Sequence, residues 1–355
     1  MNQQFTKLPE RNLDVLRAVA VLCVLADHVF IAATAPGNLA GGWLGRAGVL
    51  IFFVHTALVL MGSLERSGGT RDGWIERFYI RRAFRIYPLA VAAIFFVLVL
   101  RIPPHTPHIG LIEAYHAPNA DTVLANLLLA QNLVSMRDVT GVLWTLPIEV
   151  QMYVALPLCF LVARRSVRGV LMLIAAGVIG AIAWRAELPI PGLWRLTMLE
   201  FVPCFLGGVL AYALLRRRKT RRMPAAVWFM VIALQLVAFS LVRTNYDSLA
   251  PQWGFCLSLG LLIPFVRELP RSAVTRVAHV IATYSYGIYL LHIPALWIAF
   301  VPFAGAPVAV QWLIFAFLVC ALPWAAYHLV ERPGIRVGQR LVHQPMPAAT
   351  PVGAP

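Results

Sequence analysis

Ten apolar stretches, each long enough to cross a bilayer, recur along this chain of 355 residues, and that recurrence leaves few folds open. They fall at about 13–35, 43–63, 86–103, 143–163, 169–184, 194–215, 224–242, 250–266, 280–301 and 307–330. A crossing needs about 20 mostly apolar residues, and lipid offers no partner to backbone polar groups, so each stretch is expected to be a helix. Only 13% of the residues are charged and mean hydropathy is +0.76, whereas a soluble domain carries about 25% charged residues. The expected fold class is an all-α integral membrane protein with about ten transmembrane helices. The first stretch carries polar groups and runs too long for a signal-peptide core, so it reads as a retained helix.

The net charge of +15 raises the question of nucleic acid, and the placement of the basic residues argues against it. Alternate connections collect 23 Lys and Arg on one side and six on the other, with Arg17 inside the first stretch. Basic residues are retained on the cytoplasmic side, so both termini are expected there. The long connection 104–142 then lies outside, and its "VLANLLLAQNLV" reads as a short buried or interfacial helix. "GWIERFYIRRAFRIYP" reads as a cytoplasmic interfacial helix leading into the third span, with Pro88 at the junction. Residues 1–340 form the expected membrane domain, and the Pro- and Ala-rich residues 341–355 an expected disordered cytoplasmic tail. Five scattered cysteines show no metal-ligand or paired spacing, so no metal is expected.

Against this apolar background the ionisable residues stand out. "LDVLRAVAVLCVLADHVF" holds Asp14, Arg17, Asp27 and His28 in one span. Such groups cost several kcal/mol in hydrocarbon and usually mark a functional path. Arg17 and His28 are eleven residues apart, so they share one helix face about 16 Å apart along the axis. Asp14 stands three residues before Arg17, within pairing reach. Histidine is suited to accept a proton near neutral pH, although Arg17 and His28 are also placed to reach the headgroups at either interface. Glu149 in "LWTLPIEVQMYVALP" lies about two turns into a span entering from outside, so it is expected at a depth comparable to His28. In "YSYGIYLLHIP", Ser285, Tyr289 and His292 fall on one face at i, i+4 and i+7, with Tyr286 beside them. Arg82 and Arg85 offer two guanidiniums suited to phosphate, whether of a nucleotide-bearing donor or of lipid headgroups.

These residues resemble the membrane-bound acyltransferase family 3, whose members O-acylate cell-envelope glycans and some small molecules. The family's Asp, Arg and His pattern matches Asp14, Arg17 and His28. Its Arg-x-x-Arg followed by Pro matches Arg82, Arg85 and Pro88. Its Trp-Ser-Leu-x-x-Glu with Tyr and Pro is similar to Trp144, Thr145, Leu146, Glu149, Tyr153 and Pro157. Its Ser-Tyr-x-x-Tyr-Leu-x-His matches Ser285, Tyr286, Tyr289, Leu290 and His292. The second helix departs: "VLIFFVHTALVL" has Leu50, Thr56 and Ala57 where the family usually has Asp, Ser and Gly, and introduces His55.

The resemblance implies an enzyme of the bacterial inner membrane, of the stand-alone subgroup, moving an acyl group from cytoplasmic acyl-CoA to a hydroxyl. Acetyl-CoA is the expected donor, and no tightly bound cofactor is expected. The expected acceptor is a glycan or glycolipid precursor, with a small molecule such as a macrolide as the alternative. Membrane lipids are the other expected partners, and nucleic acid is not one; the oligomeric state stays open. In this reading His28 is the general base, held by Asp27 or Glu149, Arg17 positions the donor, and Arg82 and Arg85 meet its phosphates. A covalent acyl-enzyme intermediate stays open beside direct transfer. The competing class is a transporter whose buried charges form a relay, although no repeated halves with paired broken helices are visible. A noncatalytic membrane sensor fits the fold but explains neither the arginine pair nor Glu149.

Overall fold

The computed structural model of the chain describes residues 8–34, 41–66, 73–110, 114–186, 192, 195–217, 223–242 and 248–343. Several basic residues of the charge count, among them Lys7, Arg71 and Lys219, lie outside the described residues, as does the tail from residue 344. Twelve α-helices follow one another: α1 (Glu10–Ala33), α2 (Trp43–Arg66), α3 (Trp74–Leu100), α4 (Ala120–Leu127), α5 (Thr145–Arg165), α6 (Val167–Arg185), α7 (Val202–Arg217), α8 (Val227–Val242), α9 (Leu249–Leu262), α10 (Ala273–Phe300), α11 (Val308–Ala326) and α12 (Arg332–His343). A π-helical turn, Tyr327–Glu331, joins α11 to α12. Among the described residues there is no strand, only an isolated bridge between Met223 and Val266.

Each of the ten apolar stretches is represented by a helix. Seven helical runs are long and apolar enough to cross a membrane, with α8 and α9 as shorter apolar helices. The 28-residue α10 is long enough but carries the polar run around Ser285, and is not among the seven. The chain is a multi-pass membrane protein.

The helices sort into a centre and a periphery. In α2, 78% of the apolar window is buried inside the protein, against 11% in α6, so α2 is central and α6 presents its apolar surface outward. α2 packs on α1 and α7, α7 on α9, and α10 on α1 and α11. Small residues make the closest crossings. A Cβ on Gly48 would stand 2.5 Å from the Ala20 carbonyl of α1, and one on Gly208 of α7 would overlap the Val54 carbonyl of α2. Lipid tails are as apolar as the side chains, so such backbone approach, with its dispersion contacts, takes over from the hydrophobic effect in holding helices together.

Local signals place the ends. Ser272 and Thr275 form a reciprocal capping box at the start of α10, Ser166 caps α6, and Asn119 caps α4. The helix expected within 123–134 is α4, ending before Leu129, whose φ is 52°. Pro88 does not separate an interfacial helix from the third span; α3 runs through it as one helix of 27 residues. Proline leaves the Phe84 carbonyl without its N–H partner, and Gly334 of α12 packs against that carbonyl and against Pro88 itself, filling the place where the helix is weakest.

Candidate active site

Five helices turn polar side chains toward one interior space. α1 supplies Arg17, α3 supplies Arg82 and Arg85, α5 supplies Glu149 and Tyr153, and α10 supplies Ser285, Tyr286 and Tyr289. Together with His55, Thr56 and apolar residues of α2 they line a cavity of about 110 Å³. The Arg17 Nε donates to the Ser285 hydroxyl at 2.5 Å, which passes its own hydrogen to the Ala282 carbonyl at 2.8 Å. The Tyr153 hydroxyl donates to Glu149 one turn earlier, and Glu149 lies in the field of Arg17, Arg82 and Arg85. Tyr289 and Thr145 share a hydroxyl–hydroxyl bond of 2.8 Å, and Tyr286 donates to the Ile86 carbonyl at 2.9 Å.

The arginines are not equivalent. Arg85 is paired with Glu331, whose side chain is fully buried, while the Nε of Arg82 is buried without a partner among the described residues. Three guanidiniums face two carboxylates here, an excess of positive charge in a low-dielectric place. Such a surplus suits the space to an anionic guest.

A second space of about 330 Å³ adjoins the first, with Asp14 and Arg66 on its walls. Arg17, His55, Val59 and Arg85 border both spaces.

His28 stands apart from this cavity. Its Nδ1 is 2.7 Å from the Thr106 hydroxyl, in the connection after α3, and its ring centroid is 4.8 Å from that of His292. The Nδ1 of His292 meets the Ile288 carbonyl at 3.0 Å and so carries the hydrogen. Its Nε2 then holds a lone pair, buried and without a partner among the described residues. Tyr289, on the cavity wall, has its ring 6.3 Å from that of His292. Arg17, on the cavity, and His28, paired with His292, are thus the two ends of one α1 face, with α10 running alongside.

Several sequence-based placements differ. Glu149 is grouped with the three arginines rather than with His28. The 3₁₀ turn Gly141–Trp144 that precedes α5, and the azimuth of α5, decide this, and depth counted along a span captures neither. Asp27 accepts the Gly42 amide at 2.8 Å and so caps the N-terminal end of α2. Asp14 meets the Nδ1 of His279 on α10 at 2.8 Å, where pairing with Arg17 was expected. Trp144 is outside the cavity, stacked under the guanidinium of Arg46, which pairs with Glu200 at 2.8 Å. Glu331 had no local signal in the sequence, because its partner Arg85 lies 246 residues away. Among the described residues no cluster of His, Cys, Asp and Glu suits a metal ion.

The sequence profile of a family described as an acyltransferase domain matches residues 10–328. Nodulation protein 10 of Rhizobium leguminosarum bv. viciae is 24% identical, over 93% of this chain and 95% of that protein. The peptidoglycan O-acetyltransferase OatA of Listeria monocytogenes serovar 1/2a is 26% identical over 80% of this chain, which spans about half of that relative's length (49%). YrhL of Bacillus subtilis (strain 168) is 25% identical over 91% of this chain and 54% of that protein. No solved structure matches. The match from α1 to the π-helical turn takes in every helix that builds the cavity, and the chain belongs to the membrane-bound acyltransferase family 3 and is an acyltransferase.

Proposed function

We propose that this acyltransferase moves a short acyl group, acetyl by preference, from cytoplasmic acyl-CoA to a hydroxyl of a cell-envelope glycan or glycolipid precursor. The observation that carries the reading is the arginine-rich cavity of α1, α3, α5 and α10, bordering an open vestibule on one side and a histidine pair further along α1 on the other. In this reading the chain crosses the bacterial cytoplasmic membrane ten times with both termini inside, as its charge asymmetry suggests. The vestibule then faces the cytoplasm and His28 the outside.

Arg85, at the mouth of the cavity, exchanges Glu331 for a donor phosphate by charge-assisted bonds, and Arg82, inside it, supplies a further positive charge for the donor. Arg17, kept in position by Ser285, positions the donor on its way toward the histidine pair. His28 takes the proton of the acceptor hydroxyl as its oxygen attacks the thioester carbon. The new C–O bond forms, the C–S bond breaks, and the proton passes to the sulfur, releasing CoA as its thiol. His292 shapes the position of His28, and its free Nε2 offers a second acceptor in the same place. The acetylation of peptidoglycan hydroxyls named for the Listeria relative supports a glycan acceptor.

The test is CoA-thiol release by purified protein given acetyl-CoA and a panel of glycan, glycolipid and small-molecule hydroxyl acceptors. Thiol release above the acceptor-free control, with radiolabelled acetyl recovered on a glycan, is expected. A folded protein that releases no thiol with any acceptor removes the reading.

A further inference from the structure

Of the four residues that border both spaces, three repeat what the site already explains: Arg17 and Arg85 carry charge, and Val59 is apolar. The fourth, His55, belongs to the α2 stretch that departs from the family pattern, next to Thr56 and Ala57. His55 and Val59 lie one helical turn apart, so α2 contributes one wall of the constriction between vestibule and cavity, facing Arg17 of α1 and Arg85 of α3. Only 5% of His55 is exposed, and no hydrogen bond from another described residue reaches its ring. Its ring borders both open spaces, so a guest there can bond the imidazole without displacing a protein partner.

The space behind His55 limits what can pass. A cavity of about 150 Å³ holds a benzene molecule, so the 110 Å³ beyond the constriction admits a group of a few heavy atoms and no long chain. The surroundings also specify what the ring at position 55 must be. Two guanidiniums already border the constriction, and a third cation would repel them, whereas a neutral imidazole offers one donor and one acceptor without adding charge.

We infer that His55 is a donor-selecting residue: it contacts the amide-containing arm of the acyl donor at the constriction between the two spaces and, with Val59, restricts entry to short acyl groups. This rests on the acyl-CoA reading above. The arm carries amide N–H and carbonyl groups between its phosphates and its thioester, the chemistry an imidazole recognises. The phosphates stay on the vestibule side, within reach of Arg66 and Arg85, and the acyl end enters the inner cavity.

The experiment measures binding to wild-type protein, His55→Ala and His55→Gln in nanodiscs, after thermal unfolding has shown each to be folded. The probes are acetyl-CoA, hexanoyl-CoA and adenosine 3′,5′-bisphosphate, which carries ribose phosphates but no arm. His55→Ala should weaken acetyl-CoA about tenfold, the loss of one well-made bond. It should also narrow the preference for acetyl-CoA over hexanoyl-CoA about tenfold while leaving the bisphosphate unchanged. His55→Gln, which keeps a donor and an acceptor, should retain most acetyl-CoA affinity. Unchanged acetyl-CoA affinity and chain-length preference in folded His55→Ala would overturn the inference alone, as would an equal loss for the bisphosphate. Wild-type protein that binds the bisphosphate but neither acyl-CoA overturns the donor reading with it.

Discussion

The pair between Arg85 and Glu331 makes an asymmetric prediction, because its two members differ in access to water. The Glu331 side chain is 0% exposed and one of its oxygens already lacks a partner, whereas Arg85 is 23% exposed and borders the vestibule. Replacing Arg85 with Met strands a buried carboxylate, which costs about 3–5 kcal/mol. Glu331→Gln leaves a guanidinium that water can reach and an amide oxygen that still accepts from it, so the loss should be about 1–2 kcal/mol. The double variant Arg85→Met/Glu331→Leu removes both charges at similar volume and should fall within about 1 kcal/mol of the parent. Unfolding entropy of about 2.1 cal/mol/K per residue makes 1 kcal/mol worth about 1.3 °C in a chain of this length. The melting point should therefore fall by about 4–7 °C for Arg85→Met and about 1–3 °C for Glu331→Gln, with the double variant largely restored. A fluorogenic thiol reagent reads this directly, since Cys23, Cys159, Cys204 and Cys256 are buried and report only on unfolding. Cys320 is exposed and is first replaced by Ser. If Glu331→Gln were as damaging as Arg85→Met, or if the double variant melted as low as the single, the reasoning from unequal burial would be refuted.

His28→Ala should lower acyl transfer by about two to four orders of magnitude with acetyl-CoA binding retained, and a folded variant that transfers at the wild-type rate would remove the residue from the mechanism. Arg82→Lys should recover only part of the donor affinity lost in Arg82→Ala, because an ammonium cannot reproduce the planar fork; equal affinities measured by titration would make the contact one of charge alone. Gly208→Ala should abolish accumulation of folded protein, judged by size-exclusion profile, since its methyl would overlap the Val54 carbonyl, whereas Gly180→Ala, with nothing within 4 Å, should be neutral. Single cysteines at Asn119 and Arg217 should be labelled from opposite faces of the membrane, and labelling of both from one face would contradict the ten-span orientation.

What the sequence made legible follows helical geometry over short distances. The shared face of Arg17 and His28 needed only the 3.6-residue period, and the unbroken α1 preserves it. The stripe of Ser285, Tyr289 and His292 was visible for the same reason, and each of the three bonds or stacks inside the bundle. Helix existence followed from hydropathy. Partnership across helices did not: Asp14 finds His279 and Arg85 finds Glu331, each more than 240 residues away, and nothing local specifies the rotation of one helix against another. Glu149 shows the limit most plainly: counting along the span set it level with His28, whereas the packing of α5 groups it with Arg17, Arg82 and Arg85. His55 was visible as a departure from the family pattern, and its place at the constriction came only with the packing of α1, α2 and α3.

The glycine crossings of α2, α7 and α9 have a kinetic consequence. A Cβ on Gly260 would strike the backbone of Gly207, as one on Gly208 would strike Val54, so these three helices touch main chain to main chain and have almost no slack to slide. A donor thicker than the constriction needs some wall to yield during each turnover. The compliant wall is the opposite one, where Pro88 removes a backbone hydrogen bond from α3 and α11 passes into a π-helical turn ending at Glu331. Backbone amides there should open to solvent exchange faster than those of α2 and α7, and turnover should be limited by how often that side parts rather than by the bundle as a whole.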